Sequence, residues 1–234
     1  MYKDFHIRAP FFEIGPKAYL YGEKMLHLAK TIDRVAAKYD VDVIVTPQYT
    51  DISLLANNTE RILVFAQHMD PLPVGRGLGS VLPEAVKAAG AVGVMLNHAE
   101  KPLTMDVLRQ TIARADEVGL GTIVCGSSVA DIVEIANMHP NLIVAEPTEL
   151  IGTGVTSDSN YVKQTIEMVA KVDPSIMVLQ GAGISNGNDV YNVIKQGAMA
   201  TGSTSGIIKA ADPDAMVEEM LHALRKAWDE VHSK

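Results

Sequence analysis

The chain has 234 residues, 47% hydrophobic and 21% charged, a composition that excludes a disordered or fibrous protein. Its net charge is −8 with Lys and Arg dispersed, which argues against nucleic-acid binding and requires a local positive site for any anionic ligand. One cysteine, Cys125, rules out an intrachain disulfide and a cysteine-based zinc site, and neither a membrane-length apolar run nor a signal-peptide layout is present, so a cytoplasmic protein is expected.

In chain order, a strand is expected at Phe11–Ile14, then a helix at Glu23–Tyr39, where Met25, Leu28, Ala29, Ile32 and Val35 share an apolar face. Strands follow at Val41–Thr46 and Ile62–Ala66. Pro83 opens a helix in Leu82–Val86, where its missing N–H does no harm, and Gly90 closes it. A strand at Val92–Leu96 leads to a helix at Thr104–Val118 closed by Gly119. Next come a strand at Thr122–Cys125, a helix at Ala130–Met138 and a strand at Leu142–Ala145. The helix at Ser157–Val172 has a Ser/Asp-rich entry suited to capping. A strand at Ile176–Leu179, a helix at Gly187–Gln196 closed by Gly197, a strand at Ala198–Thr201 and a helix at Asp212–His232 complete the pattern.

Strands alternating with helices predict a parallel sheet with helical crossovers. Eight such units can close into a (β/α)8 barrel or form an open doubly wound sheet. The length suits one eight-stranded barrel, so a single domain over residues 1–234 is the expected architecture.

Ligands of parallel α/β folds bind at the carboxyl ends of the strands. There the sequence places Gly15-Pro16-Lys17, Gln67-His68-Met69-Asp70, Asn97-His98-Ala99-Glu100, Glu146-Pro147, Gly181-Ala182-Gly183-Ile184-Ser185 and Gly202-Ser203-Thr204-Ser205-Gly206. The last two segments suit a phosphate, because small residues let backbone N–H groups approach it and a short helix after Ser205-Gly206 would point its positive end there. Lys17, His98 and Glu146 each have an ordinary structural reading. Together they supply a cation, an electrophile and a base, the set that proton abstraction beside a carbonyl needs. His68 and Asp70 lack a third partner for a metal and are read as structural or as part of a subunit contact; Met168 and Met177 are read as core filler.

Ala145-Glu146-Pro147 running into Leu150-Ile151-Gly152-Thr153-Gly154 resembles the base-and-lid segment of the triosephosphate isomerase family, and Asn97-His98-Ala99-Glu100 resembles its histidine segment. Pro47-Gln48, Phe65-Ala66-Gln67-His68, Val81-Leu82-Pro83-Glu84-Ala85 and Gly181-Ala182-Gly183-Ile184-Ser185 are most similar to the shorter, archaeal-type members. The resemblance implies a TIM barrel that isomerises a small phosphorylated sugar without a cofactor. Glu146 would be the general base, His98 a neutral donor to the enediolate and Lys17 its charge stabiliser, held by Glu100. Gly152, Gly181, Gly183, Ser205 and Gly206 would bind the phosphate. Pro147, Thr148, Glu149, Leu150, Ile151, Gly152 and Thr153 would form a closing lid, and Cys125 would pack beneath the base. The resemblance also implies a homo-oligomer, dimer or tetramer, with the loop Met69–Ser80 inserted into a neighbour.

Two positions depart from the family pattern. Gly15 stands where the family has an Asn that touches substrate, and Ala99 where Ser is usual. The chain therefore reads either as a triosephosphate isomerase or as a relative acting on another small ketose phosphate, such as the tetrulose L-erythrulose 1-phosphate. A catalytically silent phosphate-binding barrel is the reading of a different class.

Overall fold

The computed structural model describes residues 1–233. Eight strands, β1 (Phe11–Ile14), β2 (Asp42–Val45), β3 (Ile62–Ala66), β4 (Gly93–Leu96), β5 (Gly121–Gly126), β6 (Leu142–Ala145), β7 (Met177–Gln180) and β8 (Ala200–Ser203), pair in parallel and in sequence order into a closed barrel. The ring closes through β1 and β8, with Phe11 opposite Ala200 and Ile14 opposite Ser203. The expected barrel is thus the observed one.

The strands are buried on both faces, which is why they read as nearly continuous apolar runs. Phe11, Ile44, Phe65, Ile123, Leu142 and Leu179 fill the barrel interior. Phe12, Val43, Val45, Val64, Val94 and Ile143 face outward, where they meet the helices. The bottom is plugged from the N-terminal segment: Phe5 packs edge-on against Phe65, with ring centroids 5.6 Å apart, alongside Ile7 and Leu63. A Cβ on Gly121 would lie 2.6 Å from the Phe5 ring, so the bareness of that strand start is what admits the plug.

Around the barrel lie α1 (Gly22–Tyr39), α2 (Ile52–Ala56), α3 (Pro83–Ala88), α4 (Met105–Val118), α5 (Val129–Ala136), α6 (Ser159–Val172), α7 (Gly187–Lys195), α8 (Ser205–Ile208) and α9 (Pro213–His232). Most entries are capped by short polar side chains that accept from first-turn N–H groups: Thr104, Ser128, Asp158, Asn186 and Asp212. Gly90, Gly119 and Gly197 all have positive φ, as their helix-closing positions require.

Sequence and structure differ in places. α2 was not expected, since five residues are too few to display a helical period. β8 begins two residues later than its apolar content suggests, because Gly197 ends α7 and Ala198-Met199 serve as connector. Met177 packs against the interior cluster, but Met168 is only half-buried on α6, so it does not fill the core.

Candidate active site

The carboxyl ends of the strands enclose a cavity of about 440 Å3, a size typical of small-molecule sites. Lys17, His98, Glu100, Glu146, Gly152, Gly181, Gly183 and Ser205 all line it. Gly206 does not; it stands behind the wall, where a Cβ would come within 2.6 Å of Ser203 Oγ and 2.7 Å of the Ile184 carbonyl oxygen. Of the expected lid, Ile151 and Gly152 reach the cavity, together with Gly154, whereas Pro147, Thr148, Glu149, Leu150 and Thr153 do not.

Lys17 follows β1 in a left-handed conformation, φ 48°, which is costly for a residue with a side chain. Two glutamines hold it there. Gln48 Nε2 donates to the Lys17 carbonyl oxygen at 2.7 Å and Gln67 Nε2 at 3.0 Å, and Gln67 also donates to the Thr46 carbonyl oxygen at 2.9 Å. The Lys17 ammonium in turn donates to Glu100 Oε1 at 2.6 Å, across 83 residues of sequence. That bond, above all, pulls the Glu100 carboxyl below the ordinary glutamate range.

His98 is placed by a short loop in which Asn97, also at positive φ, donates to the Cys125 carbonyl oxygen at 3.0 Å and accepts from Leu103 N–H at 2.9 Å. The Glu100 N–H donates to His98 Nδ1 at 3.1 Å. Nδ1 is therefore an acceptor, and the neutral ring carries its proton on Nε2. Burial lowers the His98 pKa, and the nearby Lys17 charge lowers it further, against an opposing pull from Glu100. The Nε2–H thus belongs to a neutral imidazole. Its 3.9 Å separation from Glu146 Oε2 is proximity between two tools rather than an ion pair.

Glu146 follows β6, its N–H anchored to the Gly126 carbonyl oxygen at 3.0 Å. Burial raises its carboxyl pKa, while Lys17 and the Ala182 N–H lower it and Glu100 raises it again. A carboxylate so placed is a stronger base than one in water. Cys125 lies in β5 beneath this group, buried in the barrel interior and lining the cavity. Burial pushes its thiol pKa well up, away from reactivity.

The segment after Glu146 folds back on itself. Leu150 N–H bonds to the Pro147 carbonyl oxygen at 2.9 Å, Thr153 Oγ1 to the Leu150 carbonyl oxygen at 2.8 Å, and Val155 N–H to Thr153 Oγ1 at 3.1 Å. Its N-terminal end rests on Ser127, whose Oγ accepts from Thr148 N–H at 3.0 Å and whose carbonyl accepts from Tyr161 Oη at 2.5 Å. Its C-terminal end lies against Gly183, where a Cβ would stand 2.0 Å from the Val155 carbonyl oxygen, and φ is +75°. Glycine there is required by both space and backbone.

Sequence reasoning gave no role to several residues of the cavity, although it placed Gln67 and His68 at a strand's carboxyl end. Glu13, Thr46, Gln48 and Gln67 shape its floor and one wall, and Tyr19 with Lys209 stands at its rim, the Lys209 ammonium 5.2 Å from the Tyr19 ring centroid. Glu13 had a usable signal: an acid inside a strand buried on both faces must point at something. His68 Nε2 lies 3.2 Å from Asp70 Oδ1, and Asp70 Oδ2 accepts from Val81 N–H at 2.7 Å, so this pair braces the base of the loop Met69–Ser80. Among the described residues no group of three His, Cys, Asp or Glu is arranged to hold a metal, and no helix is long and apolar enough to cross a membrane.

The family model for triosephosphate isomerase matches residues 15–220. Among similar proteins, a triosephosphate isomerase of Methanobacterium bryantii is 40% identical over 195 residues, covering 82% of this chain and 86% of the relative. One from Methanosarcina barkeri is 36% identical over 92% of this chain and 99% of the relative. A third, from Sulfurisphaera tokodaii, is 36% identical over 95% and 99%. With the barrel in place and most of its length matched, the chain belongs to the triosephosphate isomerase family.

Proposed function

We propose that the protein is an isomerase that interconverts dihydroxyacetone phosphate and D-glyceraldehyde 3-phosphate through an enediolate. The observation that carries this reading is one cavity holding a base, a neutral imidazole and an ammonium, with Glu146 Oε2 and His98 Nε2 3.9 Å apart. Glu146 removes a proton from one carbon and returns it to the next. His98 Nε2–H donates to the oxygens that gain charge, and Lys17, held by Glu100, stabilises the same charge. Triosephosphate isomerases are themselves a standing illustration of a glutamate base beside a neutral imidazole. Base and electrophile both come from side chains, so the proton transfer needs neither metal nor coenzyme.

Backbone N–H groups of Gly152, Gly183 and Ser205 hold the phosphate in this reading, whereas the Gly181 N–H is already bonded to the Ala145 carbonyl oxygen at 2.9 Å and Gly206 lies behind the wall; residues 147–153 close over the phosphate to exclude water from the reactive enediolate. The whole chain acts as one barrel domain in the cytoplasm. The loop Met69–Ser80 carries exposed Val74 and Leu78, an apolar tip that supports a homo-oligomer; light scattering after size exclusion tests it.

The deciding experiment is isomerase activity on dihydroxyacetone phosphate, coupled to glyceraldehyde-3-phosphate dehydrogenase, with Glu146→Gln as control. Turnover of at least ~10² per second, lost in the control, is expected. Turnover orders of magnitude lower in a folded protein refutes the triose assignment, and tetrulose phosphates are then the next substrates.

A further inference from the structure

Glu13 is an acid in the middle of β1, only 9% exposed, and its neighbours in the strand are apolar. It nevertheless lines the cavity. Thr46 Oγ1 donates to its Oε1 at 3.0 Å, and its Oε2 has no hydrogen-bond partner among the described residues. Buried acids ordinarily have their oxygens satisfied, so an open oxygen facing a ligand cavity calls for an account.

Gly15 supplies the second observation. Its φ is not positive, so the backbone does not demand glycine there. A Cβ at Gly15 would meet Glu13 Oε1 at 3.0 Å, Thr46 Oγ1 at 3.3 Å and Thr204 Oγ1 at 3.4 Å. On the other side, a Cβ at Gly202 would lie 3.1 Å from Glu13 Oε2. The carboxyl therefore sits in a slot between two bare backbone positions, and Gly15 makes room for it.

We propose that Glu13 is a substrate-contacting, specificity-determining residue, whose carboxyl hydrogen-bonds an oxygen on the carbon skeleton of the bound ketose phosphate. This rests on the isomerase reading above and deepens it. Burial raises the Glu13 pKa to about 8, opposed by Thr46 and Lys17 and reinforced by Glu146. Burial thus favours the neutral carboxylic acid at neutral pH. Thr46 occupies Oε1 as donor, which leaves the acid proton on Oε2, aimed at the ligand. The charged and titratable groups around it are Lys17 beyond β1, Glu146 beyond β6 and the Cys125 thiol in β5; β2 and β8 present only Thr46 and Gly202.

The test uses protein labelled with carbon-13 at its glutamate carboxyls, with the Glu13 signal assigned by its loss in Glu13→Gln. Adding dihydroxyacetone phosphate shifts that signal, and adding inorganic phosphate does not. In parallel, Glu13→Ala lowers kcat/KM about tenfold, the effect of one lost hydrogen bond. Inhibition by inorganic phosphate is unchanged, and Glu13→Gln recovers most of the loss because an amide also donates and accepts. A shift without turnover on triose phosphate keeps the contact and overturns the isomerase reading. Turnover without a shift overturns the proposal and leaves the isomerase reading standing. Neither shift nor turnover overturns both. The labelled unmutated protein decides these outcomes even if the alanine variant fails to fold.

Discussion

Replacing Gln67 by Ala tests how the site holds Lys17. The Gln67 amide donates to the carbonyl oxygens of Lys17 at 3.0 Å and Thr46 at 2.9 Å, and it accepts a longer bond from Gln48 at 3.3 Å. Two good hydrogen bonds at about 1 kcal/mol each give a stability loss of about 2 kcal/mol. Those bonds hold a left-handed backbone at Lys17, φ 48°, whose strain is about 1–3 kcal/mol. Clamp and strain are of the same size, so removing the clamp shifts Lys17 toward relaxed conformers in which its ammonium leaves the cavity. Every 1.4 kcal/mol is about tenfold in population, so kcat/KM is expected to fall about ten- to thirtyfold. Gln48 keeps the Lys17 carbonyl bonded at 2.7 Å, which is why the loss is not larger. Steady-state kinetics in the coupled isomerase assay, with thermal unfolding of the same samples, read both numbers. A Gln67→Ala variant that loses stability but less than threefold in kcat/KM would show that the strained backbone stands without its clamp, and the reasoning would fail.

Stability should also depend on pH through Glu13. Its pKa is raised from 4.5 to about 8 on folding, so the folded state keeps a proton that the unfolded state releases. Stability contributed by this group is full below pH 4.5 and is lost as pH rises toward about 8, by up to about 1.4 kcal/mol per unit. Glu13→Gln removes that slope, which denaturant titrations between pH 5 and 9 will reveal or refute. The acid limb of kcat/KM should lie above the ordinary glutamate range, because the base must be ionised and burial raises Glu146. Lys17→Met removes the cation that lowers Glu146, so the limb should move to higher pH along with the loss of rate; an unmoved limb means that Lys17 does not act on the base. Gly183→Ala should lose at least about 1–2 kcal/mol from left-handed backbone alone. The clash with the Val155 carbonyl oxygen, with a Cβ at 2.0 Å, should also displace the hinge, so residues 147–155 become faster to cleave in limited proteolysis.

The barrel was legible because each of its strands is covered on both faces, so burial writes itself as short β-branched runs such as Val43-Ile44-Val45 and Leu142-Ile143-Val144-Ala145. β8 was placed less well because Ala200-Thr201-Gly202-Ser203 has no large apolar residue to mark it. Lys17, His98 and Glu146 were legible as a set because all three follow strands, and the neighbouring residues that resemble a family gave each its role. The bond from Lys17 to Glu100 spans 83 residues with no local spacing to betray it, so it was expected from the resemblance alone, and it is present. Glu13 was passed over because one polar residue in a four-residue strand looks like an outward face. An acid in so apolar a strand was a signal that it points at something, and the closed ring shows what: the inward face at that level is the floor of a cavity. The Gly15 departure was visible, but its cause was not, since the group that fills the space lies two residues earlier and on the same side of the strand.

The segment beyond Glu146 bears on how much order a substrate must impose. Freezing a flexible residue costs about 1–2 kcal/mol in lost conformational entropy. Seven loose residues would then consume about 7–14 kcal/mol, as much as a small ligand's whole binding energy. Here the segment bonds to itself, from Leu150 to Pro147, from Thr153 to Leu150 and from Val155 to Thr153. The closure proposed above would then restrict only the torsions at the two ends of the segment, near Ser127 and Gly183, and the piece between them would swing as one body.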